Sequence, residues 1–318
     1  MKDERLKGCK VIPVAVQRGG VSKTTTTFDL GYVLARRTYR VLLIDSDPQG
    51  SLGLFNGVDI SNLEHGLHTI YETIRNKGDI KDEINKSIIR PTYFKPVRDD
   101  VNKRYVSKEI EFGYDLIPSS IDLADYDILL SRDPLGGFYT TTLIKQIEND
   151  YDFVLIDCMP GLSTLTYSAL CAGYSAGALV PMLMEPVTIR GGENLINVTT
   201  QIQKILWDKG IIHKGILGIL KSMYLPKRIV QRKMGSIVDH FFPIKVFEAT
   251  IPNKASCDMA HSKGRCFAEY DPIAREAYES LADEIIETIV ARQDETEPVF
   301  VDSFGEELLD KLFERGDK

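Results

Sequence analysis

The apolar run Val11–Val16 breaks into a short loop, Gln17–Ser22, and the chain resumes at Lys23 as a helix-forming stretch through Phe28, Leu30, Leu34 and Ala35. Strand, glycine-bearing loop and Lys-Thr at a helix start leave few folds open, because they specify a β-α unit with its turn at the strand's carboxyl end. Successive backbone N–H groups and the helix N-terminus converge there, and anionic phosphate oxygens are stabilised at such a place. The strict spacing G-x-x-x-x-G-K-[ST] is not met, since Gln17 and Ser22 stand where glycines belong. Arg18, an additional cation, precedes the pair Gly19-Gly20.

The remainder of the chain repeats the strand–helix alternation. Strand candidates are Val11–Val16, Val41–Ile44, Tyr114–Ile117, Phe153–Ile156, Ala178–Met182, Ile216–Leu220 and Ile244–Ala249. Helical stretches lie between or after them at Thr24–Arg36, Ile121–Leu130, Thr140–Ile147, Thr164–Cys171, Gly192–Leu206, Val230–His240 and Ile273–Ala291. This order predicts an α/β fold: a mostly parallel twisted sheet with helices on both faces. Residues 62–112 are polar and mixed, with a helix-like piece at Leu67–Ile74 and the basic-aromatic stretch RPTYFKPVRDDVNKRY. They read as a surface insertion, a hairpin or flap, within a domain covering residues 1–292. Residues 293–318 read as an acidic tail, with Phe304, Leu308, Leu309, Leu312 and Phe313 fitting one helical face.

Three groups carry chemistry. Lys23 is placed to reach β- and γ-phosphates, Thr24 to bind Mg²⁺ through its hydroxyl, and Thr25 to reach the α-phosphate. The run Phe153-Val154-Leu155-Ile156-Asp157 is a buried-type strand ending in a carboxylate that can fix the metal shell. Its bland alternative is Asp157 as a helix N-cap. Asp45 and Asp47 follow Val41–Ile44, and two carboxylates two residues apart can divide labour. Asp45 is assigned to the metal side and Asp47 to the attacking water.

Composition narrows the function classes. The five cysteines show no C-x-x-C pair, which favours reduced thiols over disulfides or zinc. No apolar run approaches the roughly 20 residues of a membrane helix, and the charged opening MKDERLKGCK does not read as a signal peptide. Net charge is −7, yet Gln201–Tyr270 carries twelve Lys and Arg against five Asp and Glu. That segment is therefore basic while the rest of the chain is acidic.

The stretches RGGVSKTTTTFDLGYVLA, VLLIDSDPQGSLG, YDFVLIDCMPG and IPNKASCDMAHSKGRCFAEYDPIAREAYESLADEI together resemble ParA-type partition ATPases of the deviant Walker A superfamily. The resemblance runs in order from Val11 to Ala291, outside the insertion and the tail. It implies a P-loop NTPase fold, ATP and Mg²⁺ as cofactors, and a homodimer formed on ATP binding. It further implies non-specific DNA binding, a ParB-like centromere-binding partner that stimulates slow hydrolysis, and a cytoplasmic, nucleoid-associated protein without membrane attachment. On this reading Gly19, Gly20, Val21, Ser22, Lys23, Thr24 and Thr25 form the phosphate cradle. Arg18, where the family nearly always has lysine, would reach across the dimer to the partner's phosphates.

By the same resemblance, Met223, Pro252 and Asn253 lie where the family encloses adenine. The best DNA-contact candidates in the basic segment are Lys221, Lys227, Arg228, Arg232 and Lys233. A Cβ at Ser22 requires the backbone there to keep negative φ, with slow turnover as the consequence. A MinD-like membrane-positioning ATPase is the second reading, opposed by the acidic terminal segment; a weakly hydrolysing nucleotide-binding scaffold is the third. The short leader before Val11 argues against an N-terminal operator-binding domain.

Overall fold

The computed structural model describes residues 2–99 and 104–301. Among these residues nine strands run in chain order: β1 Lys10–Val14, β2 Val41–Ser46, β3 Thr92–Asp99, β4 Arg104–Glu111, β5 Asp115–Ile117, β6 Phe153–Cys158, β7 Ala178–Met182, β8 Ile216–Tyr224 and β9 Val246–Pro252. Seven of them form one sheet in the order β5-β2-β6-β1-β7-β8-β9, and every pair in it is parallel. The helices are α1 Lys23–Arg36, α2 Ser51–Phe55, α3 Leu67–Arg75, α4 Ile80–Ser87, α5 Leu123–Arg132 and α6 Tyr139–Ile147. They continue with α7 Thr164–Ala172, α8 Pro186–Trp207, α9 Ile229–Phe241, α10 Ser256–His261, α11 Phe267–Tyr270 and α12 Pro272–Arg292.

Strand alternation divides the core in two. Leu42, Ile44, Val154 and Ile156 join one hydrophobic cluster, while Val41, Leu43, Phe153 and Leu155 join the other. Both faces of β2 and β6 are buried, so their sequences read as unbroken apolar runs rather than alternating ones. One cluster is closed by α3–α9, the other chiefly by α1 and α12. The free edge of β9 is blunted from within the fold. Glu284 on α12 accepts the amides of Glu248 and Ala249 at 2.8 and 2.7 Å, satisfying donors that a neighbouring strand would otherwise take.

Residues 62–112 differ from the expected surface insertion. Leu67, Ile70, Tyr71 and Ile84 on α3 and α4 are fully buried, and Tyr71 hydrogen-bonds Thr140 at 2.7 Å. The stretch looked superficial because its apolar residues are spaced for two short helices among charged neighbours. Only β3 and β4 stand apart, as a two-stranded antiparallel ribbon. The expected terminal helix at Phe304–Phe313 lies outside the described residues.

Candidate nucleotide site

The carboxyl ends of β1, β2 and β6 come together because the sheet register aligns them. Val14 pairs with Asp157, and Asp157 with Asp45, so the two carboxylates share a row at the point where β1 enters the loop. The two acids are far apart in the chain, and a parallel sheet is what closes that distance.

The loop itself is built on left-handed backbone. Gly20 sits at φ 71°, and Ser22 at φ 66°, ψ 28°. This overturns the expectation of a negative φ at Ser22. The chain must reverse sharply to launch α1 at Lys23, and it does so through a residue in the region glycine prefers. A serine there costs on the order of 1–2 kcal/mol. No side chain caps α1, so its first N–H groups are left for an outside acceptor. Lys23 is nearly buried and donates from Nζ to the Arg18 carbonyl at 2.9 Å, bridging the loop. Burial lowers its pKa, opposed by the nearby Asp157.

The carboxylates are not equivalent. Asp45 accepts the Asp47 amide at 3.2 Å and the Gly53 amide at 3.1 Å, one on each oxygen, and so holds the turn leading to α2. Both Asp157 oxygens are buried without a hydrogen bond of acceptable geometry, although Thr24 and Lys23 lie close enough to favour the ionised form. Burial raises Asp157 to about 7, with Asp47 adding to the rise. Asp45 is raised as well, first by burial and then by the charge of Asp157. Two buried acids side by side resist joint ionisation unless a cation joins them. Further buried oxygens without partners lie on Ser46 and Ser222, at the ends of β2 and β8, and on Thr188 at the start of α8. No group of three or more His, Cys, Asp or Glu able to hold a metal occurs among the described residues. The Asp45–Asp157 pair therefore fits a cation that takes its other ligands from phosphate and water, as Mg²⁺ does.

Asp47 is partly exposed and accepts the Gln49 amide at 2.9 Å. Ser119, at the end of β5, hydrogen-bonds the Asp47 carbonyl. Ser119 was missed by sequence reading, as was Asn194 on α8, whose amide donates to Gln17 at 2.9 Å. Ser119 lies in LIPSSIDLADYD and Asn194 in ALVPMLMEPVTIRGGENL, stretches that also resemble the ParA type, but nothing local singles out either residue and each reaches the loops only through the tertiary fold. Asp157 is no helix cap, because Ser163 caps α7 by accepting the Thr166 amide. Cys158 is buried, its thiol pushed up by burial, which argues against a reactive role.

Met223, at φ 48°, and Pro252 and Asn253 come together where β8 pairs with β9 through Tyr224 and Pro252. β8 lies two strands from β1, roughly 10 Å across the sheet. The basic candidates divide. Lys221 is ion-paired with Asp239 at 2.7 Å and its side chain is 12% exposed, so it is poorly placed for DNA. Lys227 and Arg228 precede α9 and Arg232 and Lys233 lie on its first turns, all four exposed. Arg18 is exposed, and its guanidinium makes no hydrogen bond or ion pair among the described residues.

A family model described as an AAA domain matches residues 9–210. The chain belongs to that family, as a P-loop ATPase of the ParA/MinD type. Among relatives of this type, an uncharacterized protein of Pseudomonas putida is 30% identical over 87% of this chain and 94% of its own. The chromosome-partitioning ATPase Soj of Treponema pallidum is 29% identical over 87% and 97%. A similar solved structure is cobyrinic acid a,c-diamide synthase from Mycobacterium smegmatis with bound ATP analog and magnesium. It is 26% identical, covers 92% of this chain and 100% of its own, and superposes with a TM-score of 0.67. In this sheet the glycine-bearing loop leaves the central strand β1, and the two acidic strand ends, of β6 and then β2, lie next to each other on one side of it.

Proposed function

We propose that this protein is an ATP-dependent partition ATPase. In this reading Mg²⁺-ATP binds at loop 17–25 and drives homodimerisation, the dimer holds DNA without sequence preference, and slow hydrolysis resets it. The observation that carries the nucleotide chemistry is the row formed by the end of β1, Asp157 and Asp45, with both Asp157 oxygens unengaged. The partition role is supported by relatives such as Soj, at 29% identity over nearly their full length.

The roles proposed draw on this geometry and on the resemblance to ParA-type ATPases. The free amides at the start of α1 and the Lys23 ammonium would hold the phosphate oxygens. Asp157 and the Thr24 hydroxyl would hold Mg²⁺, with Asp45, already engaged by two amides, supporting its water shell. Bound there, the metal supplies charge neutralisation and alignment of the β- and γ-phosphates. Asp47, partly exposed on a loop tied down by Ser119, would orient the attacking water. Arg18 would act on the phosphates of the other subunit. Met223, Pro252 and Asn253 would border the base, and Lys227, Arg228, Arg232 and Lys233 would meet DNA phosphates.

DNA retention measured with ATP, with ADP and without nucleotide tests the proposal. Binding is expected with ATP and not in the other two states. Equal retention in all three would refute the switch. A centromere-binding partner is expected to raise turnover, and the protein is expected in the cytoplasm, on the nucleoid when ATP-bound.

A further inference from the structure

The nucleotide chemistry leaves residues 92–111 unused. Among the described residues strands β3 and β4 pair only with each other, from Thr92 opposite Glu111 to Asp99 opposite Arg104. The base of this ribbon is firmly fixed. Tyr93 is buried against Phe112, ring centroids 4.7 Å apart, and Ile110 packs on the same cluster. Lys95 reaches Glu269 on α11 at 2.8 Å, a carboxylate only 1% exposed that Arg265 also holds.

The free part has a distinct character. Residues directly opposed in an antiparallel pair share a face, so Phe94, Arg98, Glu109 and Tyr105 lie on the face opposite Tyr93 and Ile110. Arg104 and Lys108 lie on the Tyr93 face, so that a duplex would be gripped from both faces of the ribbon. Phe94 is 61% and Tyr105 76% exposed. Arg98, Arg104 and Lys108 are exposed, and their side chains make no hydrogen bond or ion pair among the described residues. Glu109 is drawn to the Thr92 hydroxyl at 2.6 Å. Residues 92–111 carry five Lys and Arg against four Asp and Glu, and the basic excess is concentrated between Phe94 and Lys108, five against two, in a chain of net charge −7.

We propose that the β3–β4 ribbon is a second DNA-contacting arm, resting on the DNA-binding reading above. Arg98, Arg104 and Lys108 would hold backbone phosphates, and Tyr105 and Phe94 would pack on sugars and base edges. Charge complementarity selects the occupant, since a cationic arm on an acidic protein is attracted most strongly to a polyanion. A two-stranded ribbon is also narrow enough to enter a major groove. The arm leads into β5 at one edge of the sheet, whereas the basic end of α9 follows β8, five strands away. That is roughly 24 Å across the sheet, so the two contacts would meet different phosphates.

The test is fluorescence anisotropy on a labelled duplex of random sequence, with Mg²⁺-ATP, across a salt series. The triple variant Arg98→Ala/Arg104→Ala/Lys108→Ala is expected to bind at least about tenfold more weakly, with the slope of log affinity against log salt reduced by about 2–3. Arg98→Lys/Arg104→Lys is expected to keep most of the affinity, and Phe94→Ala/Tyr105→Ala to weaken binding without changing the slope. These substitutions spare the Tyr93 and Lys95 anchors, and thermal melts verify folding. If the triple variant matches wild type while Lys227→Ala/Arg228→Ala/Arg232→Ala loses DNA, the arm is refuted and the DNA reading stands. If wild type binds no DNA in any nucleotide state, both fall. DNA affinity unchanged with loss of stimulation by a centromere-binding protein would make the ribbon a protein-docking surface instead, and would equally overturn the proposal.

Discussion

Replacing Asp157 with asparagine separates what this carboxylate costs the fold from what it gives the site. It is fully buried, its oxygens take no well-formed hydrogen bond, and its pKa is raised from 3.8 to about 7. Between those two values the unfolded chain has released the proton and the folded chain has kept it. Stability is therefore lost as pH rises from about 4 to about 7, and is level above. At about 1.36 kcal/mol per pH unit, the part lost between pH 5 and pH 7 is about 2–3 kcal/mol. The substituted side chain cannot ionise and escapes this loss, and Asp45, relieved of the Asp157 charge, also costs less to ionise, which moves the difference in the same direction. Its buried amide adds a penalty of about 1–2 kcal/mol that does not vary with pH.

The assay is thermal or guanidinium unfolding of both proteins without Mg²⁺ or nucleotide. The stability of D157N relative to wild type is expected to rise by about 2–3 kcal/mol from pH 5 to pH 8. Melting entropy near 2.1 cal/mol/K per residue makes this a relative shift of about 4 °C for a chain of this size. A difference independent of pH would refute the reasoning. With Mg²⁺-ATP at about 1,000 times Kd the ranking is expected to reverse, because the ligand then stabilises wild type by about 4.1 kcal/mol and the variant far less.

Ser22→Gly removes a left-handed serine while adding freedom to the unfolded chain, and a net gain of about 0.5–1 kcal/mol is expected in denaturant titrations. Its turnover is expected to rise, and a loss of stability would show that the serine hydroxyl holds the loop. Arg18→Ala is expected to cut turnover at least about tenfold with little change in nucleotide affinity. Mixing it with a separately inactive Asp47→Ala subunit should restore part of the activity if Arg18 acts across a dimer; no restoration would place it on its own site. Glu284→Ala strips the acceptor from two β9 edge amides, and a cost of about 1–3 kcal/mol is expected by unfolding, with increased self-association on concentration.

Much of the fold could be read directly from residue patterns. All seven strands of the main sheet were anticipated, because strands buried on both faces leave continuous apolar runs such as VLLI and FVLI. Helix α1 and its lysine were equally plain. In the polar stretch 62–112 the helix at Leu67–Ile74 was legible, but its burial and helix α4 were not, since Leu67, Ile70, Tyr71 and Ile84 are few and widely spaced among charges. Lys221 looked like its basic neighbours, and only packing against α9 revealed Asp239 as its partner.

What the sequence determines by itself is the chemistry available: a glycine-bearing loop ahead of Lys23 and strands that end in Asp45 and Asp157. Local backbone preference and burial suffice for that, because each signal lies within a few residues. The tertiary structure alone decided how the groups differ. Register placed Asp45 beside Asp157, backbone amides from the α2 turn occupied one carboxylate and left the other bare, and the launch of α1 forced Ser22 into left-handed conformation. These outcomes depend on contacts between residues far apart in the chain, and such contacts leave no local pattern to read.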